Sequence, residues 1–251
     1  TPNDGENPGD QFGGGTYDST SVSSNADGNI IEIGAIKPNG RGHVRVYEWN
    51  NNAWNQLGSD INGEANGDYF GYSVSLSDNG KIVAISAPWY NTQSGLIRVY
   101  EYNGSAWNQM GTDIDGEVLN DYSGGSISLS GDGTILAIGA IWHNIARGYV
   151  RIYKYNGSDW EKLGLNIDGE DTSDFFGQSV SLSADGTILA IGAYGNDGPA
   201  NINDIGQVRV YQYVSGLYAG DWIKIGNDLY GEVNADHFGY SVSLSKNGSV
   251  L

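Results

Sequence analysis

Cysteine is missing from all 251 residues, which excludes disulfides, thiolate metal sites and Cys nucleophiles together. Basic residues are scarce. Twelve Lys and Arg stand against 30 Asp and Glu, for a net charge of −18. A nucleic-acid backbone needs a basic surface, so nucleic acid is not an expected partner, and anionic membranes are disfavoured for the same reason. No apolar run is long enough to cross a bilayer as a helix, so no membrane insertion is expected. No segment joins a helical apolar period to helix caps. The chain starts at Thr1 and stops within the strand-like pattern Val250-Leu251, and is expected to be a piece of a longer protein.

What is present is repetition. FGYSVSLSDNGKIVAISA (70–87), SGGSISLSGDGTILAIGA (123–140) and FGQSVSLSADGTILAIGA (176–193) align without gaps, and FGYSVSLSKNGSVL restarts the block at Phe238. A looser first copy starts at Phe12, with about six extra residues before NADGNIIEIGA (25–35). Each block continues into GHVRVYEW, GLIRVYEY, GYVRIYKY or GQVRVYQY and then a tryptophan. Trp54, Trp107 and Trp160 fall 53 residues apart and Trp222 follows 62 later. SVSLS has period two, and an Asp-Gly or Asn-Gly turn follows it. ILAIGA is a continuous apolar run suited to a strand covered on both faces, and VRVYEY alternates again. Four short antiparallel strands repeated about every 53 residues predict an all-β fold, a β-propeller of four-stranded blades. The expected units are 10–64, 68–117, 121–170 and 174–232, with a fifth starting over 236–251, as a fragment of a larger propeller.

The pairing of FG with LAIGA and then GxVRVY resembles the FG-GAP repeat, the blade unit of the integrin α-subunit propeller and of many bacterial and algal surface proteins. The resemblance covers nearly the whole chain and implies a propeller of about seven blades in an extracellular or cell-surface protein. It also implies a calcium loop of the form DxDxDGxxD after the FG element. Here that place holds only the turns DNG, GDG and ADG, too short to wrap an ion.

Acidic loops occur elsewhere, ahead of each FG: DINGEANGD (60–68), DIDGEVLND (113–121), NIDGEDTSD (166–174), DLYGEVNAD (228–236) and PNDGENPGD (2–10). Oxygens at relative positions 1, 3, 5 and 9 come close to a calcium-wrapping loop. They make Asp60, Asn62, Glu64, Asp68, Asp113, Asp115, Glu117, Asp121, Asn166, Asp168, Glu170 and Asp174 candidate calcium ligands. Gly at position 4 rather than 6, and Tyr230 at position 3 of the fourth copy, favour the other reading. In that reading the loops are joints between blades, with Asp68, Asp121, Asp174 and Asp236 bonded to backbone amides. No further cofactor is implied.

No catalytic constellation is visible. Arg45, Arg98, Arg151 and Arg209 occupy one repeat position, which favours structural pairing with nearby acids over carboxylate recognition of the sialidase kind, and the sialidase Asp-box is absent. Neither GxSxG nor HExxH occurs. The loops after IGA break the repeat, and two of them carry aromatics. Trp89, Tyr90, Trp142 and His143 are therefore the candidate ligand-binding residues. The expected function is a non-enzymatic module for adhesion or ligand binding through the loops of one face. Its partner would be a protein or glycan on a surface, beside further blades or domains of the same parent chain. The alternatives are a lectin-like propeller and a hydrolase on a propeller scaffold.

Overall fold

The computed structural model describes residues 11–12, 21–37, 39–199, 203–216 and 220–251, with backbone only for 11–12. Four antiparallel sheets follow one another along the chain. The second is typical: Val74–Leu76, Ile82–Ala87, Leu96–Tyr102 and Trp107–Gln109 lie side by side, and Ile114–Asp115 returns to pair with Leu96–Ile97. The third repeats it with Ser126–Leu129, Ile135–Ala140, Tyr149–Tyr155 and Trp160–Lys162. The fourth uses Ser179–Leu182, Ile188–Ala193, Gln207–Val214 and the unbroken outer strand Asp221–Tyr230. In the first, Gln11–Phe12 and Val22–Ser24 both pair with Ile30–Ile36, so the extra residues of the looser copy interrupt the innermost strand. No described strand pairs the fourth sheet with the first. The acidic stretch 2–10 lies outside the described residues.

The core consists of three apolar seams, each between two consecutive sheets. Between the first and second, Val44, Val46 and Ile61 meet Phe70, Val74, Leu76 and Val83; the other two seams reuse the same positions. This explains the ILAIGA runs, which are buried along almost their whole length.

The alternation in SVSLS has a different cause from the usual one of water on one face. The serine in the middle of each innermost strand faces the next blade. Ser23, Ser75, Ser128 and Ser181 accept the backbone N–H of Leu76, Leu129, Leu182 and Leu244 at 2.9–3.0 Å. The turn that follows continues this linkage. Ala26, Asp78, Gly131 and Ala184 each donate a backbone N–H to the carbonyl of Asp78, Gly131, Ala184 and Lys246 in the next unit, at 2.7–3.2 Å. The outer strands are linked by tryptophan. The indoles of Trp107, Trp160 and Trp222 donate to the carbonyls of Leu57, Met110 and Leu163 one blade back. Gly58, Gly111 and Gly164 follow those carbonyls with φ of +70, +71 and +82°, and a Cβ on any of them would lie 2.8–3.1 Å from the arriving Trp or its Asp neighbour. The YNGS turns are closed by Asn103 and Asn156, whose Oδ1 accepts the backbone N–H groups two and three residues on.

Candidate functional site

Ala87 and Asp115 both pair with Leu96, so the loops after IGA and the acidic loops sit at the same end of each blade. The residue before each FG lies there too.

Within the acidic loops the oxygens go to different places. Position 1 clamps the arginine of its own blade. Asp60 accepts Arg45 Nε and Nη2 at 2.9 Å each, and Asp113 accepts Arg98 at 2.8 and 2.7 Å. These bidentate bonds hold both carboxyls below the usual carboxylate range. Position 5 reaches forward to the arginine of the next blade: Glu64 lies 2.9 Å from Arg98, Glu117 3.4 Å from Arg151, and Glu170 pairs with Arg209. Position 9 closes the loop on itself at Asp68, Asp174 and Asp236, whereas Asp121, expected to bond a backbone amide, meets the His143 ring instead. Asp236 accepts the N–H groups of Glu232 and Val233, and Asp174 accepts that of Asp171 together with the Asn196 amide. Gly at position 4 is required by close approach. A Cβ on Gly63, Gly116 or Gly169 would lie 1.8–2.2 Å from a carbonyl oxygen of the preceding loop. Asn166 breaks the pattern at position 1. Arg151 turns instead to the Asp115 carbonyl and to Ser123 Oγ, leaving its own Nε and Asn166 Oδ1 buried without partners.

The arginines are thus structural, as their common repeat position implies. The twelve candidate calcium ligands are not gathered round a point: among the described residues no three His, Asp or Glu side chains converge to hold a metal. The melting temperature is expected to be the same in millimolar calcium and in chelator. A rise of several degrees that vanishes in the double variant Asp113→Ala, Asp121→Ala would place an ion in these loops after all.

The aromatic candidates behave differently. Trp89 and Trp142 belong to an arc of rings that crosses the blade junctions. Trp89 packs at 4.4 Å from Tyr69 and at 5.2 Å from both Tyr72 and Tyr122. Tyr122 is 6.3 Å from Trp142, which stands edge-on to Phe175 at 5.4 Å. Phe175 stacks on Tyr194 at 4.8 Å, and Tyr194 meets Tyr240 at 5.3 Å. Trp142 is 49% exposed. Between the two tryptophans lies a cleft of 190 Å³ lined by Tyr72, Pro88, Trp89, Tyr122, Gly125, Ile141 and Trp142. Tyr90 and His143 point elsewhere. Tyr90 packs on the seam between the first two blades. His143 Nδ1 lies 2.9 Å from the buried Asp121 carboxylate, with its ring edge-on to Tyr149.

The backbone under this arc is strained. Tyr69, Phe175 and His237, the residues before FG, and Tyr122, before the equivalent Ser123-Gly124, have φ of 59, 54, 52 and 53°. Left-handed backbone is uncommon for bulky residues and costs about 1–3 kcal/mol each. Asn91–Gln93 and Asn144–Ala146 form single left-handed turns where the sequence predicts only loop. Their carbonyls hold the neighbouring loop: Gln93 and Ala146 accept the N–H of Tyr122 and Phe175 at 2.8 Å. Tyr72, Tyr122 and Phe175 were not among the residues marked by sequence. The signal for them was an aromatic recurring beside each FG.

The comparisons agree with this architecture. The family model for the FG-GAP repeat matches residues 167–211. No curated protein matches the sequence. Among solved structures, a protein assigned as a 6-phosphogluconolactonase from Bacteroides uniformis aligns at 14% identity and TM-score 0.58, over 85% of this chain and 55% of that one. Its counterpart from Bacteroides fragilis gives 14% and 0.56 over the same shares. The periplasmic gluconolactonase of Pseudomonas aeruginosa gives 17% and 0.51 over 85% and 54%. The chain spans about half the length of these structures. At such identities the likeness shows the fold alone. Residues 167–211 are an FG-GAP repeat, and the chain folds as consecutive blades of a β-propeller.

Proposed function

We propose that the chain is a non-enzymatic binding module that works outside the cytoplasm and takes its ligand on the aromatic arc of its loop face. The observation that carries this reading is the cleft between Trp89 and Trp142, walled by rings and with Trp142 half open to solvent. Rings held by a rigid scaffold give contact area at little entropic cost, and affinity then resides in the loops rather than the blades. The strained turns beneath the arc support preorganisation of this kind.

Turnover is the weaker reading. The solved structures of similar fold carry lactonase names. A phosphorylated sugar calls for Arg or Lys at the site, and none lines the cleft. His143 held by Asp121 has the form of an oriented base, yet no described hydroxyl is hydrogen-bonded to its other ring nitrogen.

Trp142→Ala is expected to weaken ligand binding at least tenfold while leaving the melting temperature nearly unchanged, because the ring is half exposed. Titration against surface glycans and matrix proteins, read by intrinsic fluorescence, measures this. Unchanged affinity in Trp142→Ala and in Trp89→Ala would remove the arc from the binding site.

A further inference from the structure

From the second blade on, each FG, or the Ser123-Gly124 that stands for it in the third blade, is followed by one more residue just ahead of SVSLS or SISLS. It is Tyr72 in the second blade, Gln178 in the fourth and Tyr240 in the fifth unit, but Gly125 in the third. This glycine is not required by the backbone: it does not have positive φ, and a Cβ there would meet only the Tyr122 carbonyl oxygen, at an ordinary 3.5 Å. A side chain could start here without backbone strain, and the position holds none. Gly125 lines the cleft between Trp89 and Trp142, and it also lines a second cavity of 210 Å³ among Ser126, Gln178, Ser179 and Tyr240. Each cavity is smaller than the roughly 300 Å³ at which small-ligand pockets begin, and Gly125 lines both, so a ligand that reaches past Gly125 would draw on the two together.

The two linings share one further property. Although the chain carries a charge of −18, no ionisable acid or base other than tyrosine lines either cavity. The outer part offers aromatic faces. The inner part offers the Gln178 side-chain amide, for which no hydrogen bond is seen among the described residues and which can both donate and accept. It also offers the hydroxyls of Ser126 and Ser179. These donate to the Gly177 and Gly239 carbonyls and keep lone pairs to accept. Ring faces outside, paired donor and acceptor inside and no charge together match the surface of an uncharged sugar. They match neither a phosphorylated nor an acidic ligand.

We propose that the ligand is a neutral saccharide chain. Its rings stack on Trp89 and Trp142, and its end reaches past Gly125 to Gln178. This rests on the aromatic cleft being the binding face. The test is titration of cello-, laminari- and chito-oligosaccharides of two to six rings, followed by tryptophan fluorescence. The unaltered chain should bind longer oligomers more tightly than disaccharides. Gly125→Tyr, which introduces the residue found at this position in the second and fifth units, should abolish that gain, about tenfold. Gln178→Ala should lose part of the same gain and provides the answer if Gly125→Tyr folds poorly. Trp142→Ala should weaken every length alike. Wild-type length dependence in both Gly125→Tyr and Gln178→Ala would overturn the proposal while leaving the aromatic cleft standing. Binding of a protein but of no saccharide, still sensitive to Trp142→Ala, would overturn the saccharide and keep the cleft. Insensitivity of all binding to Trp142 would overturn both.

Discussion

Trp160→Ala should lower the melting temperature by about 10 °C and cost about 3–5 kcal/mol, the range for deleting a buried tryptophan. Three losses combine. The ring sits in the seam between the second and third blades, only 8% exposed. Its indole N–H satisfies the Met110 carbonyl, which would lose that donor. Gly111, held at φ +71°, has its Cα beside the ring and would face a cavity. Trp160→Phe separates these contributions. It keeps most of the apolar contact and loses the hydrogen bond, so it should cost about 1–2 kcal/mol. Chemical denaturation with unchanged slope is the measurement. Equal stability of Trp160→Ala and the unaltered chain would mean that the outer-strand link carries no load.

Glu32→Ala should do the reverse and stabilise the chain at neutral pH. Glu32 occupies the strand position held by Ala84, Ala137 and Ala190 in the other blades. It is fully buried opposite Val46, and both carboxyl oxygens lack a hydrogen-bond partner. Burial pushes its pKa well above the ordinary 4.5. The direction of the pH effect follows. A raised carboxyl binds its proton more tightly in the folded than in the unfolded chain, so its contribution to stability is intact below pH 4.5. It is lost as pH climbs towards the folded-state value, by up to about 1.4 kcal/mol per pH unit. Even protonated, an unpartnered buried carboxyl costs roughly 1–3 kcal/mol. Glu32→Ala removes both contributions, so its advantage over the unaltered chain should grow between pH 4.5 and 7. Glu32→Gln should flatten the pH dependence without restoring the full stability, because the amide stays unpartnered. Parallel stability–pH curves for the unaltered chain and Glu32→Ala would show that the carboxyl is not desolvated.

The blades were legible because their signals are local. Period two, Asp-Gly turns and apolar runs each act within a few residues, and repetition multiplied them. The joint reading of the acidic loops came from Gly at position 4, and the structure supplies its cause: Gly63, Gly116 and Gly169 lie under a carbonyl. What sequence could not show was direction across a seam. Ser75 looks like the water-facing half of an alternating strand but bonds to the next blade. Glu64 looks like a ligand in its own loop but reaches Arg98 across the junction. Trp89 and Trp142 were marked because they depart from the repeat. Gly125 and Glu32 depart from it as plainly, yet a missing side chain and a single carboxylate among 30 acids attract less notice than a tryptophan. The same rule, applied evenly, would have found all four.

The serine, turn-amide, tryptophan and glutamate–arginine links give each of the three junctions among the four sheets the same two halves, one on each side of the blade. A tandem duplication of one such segment in the gene would therefore encode a blade that finds a ready partner on both flanks. No compensating change elsewhere in the chain would be needed. Lineages built on this repeat should accordingly differ more readily in the number of their blades than in the residues that join them.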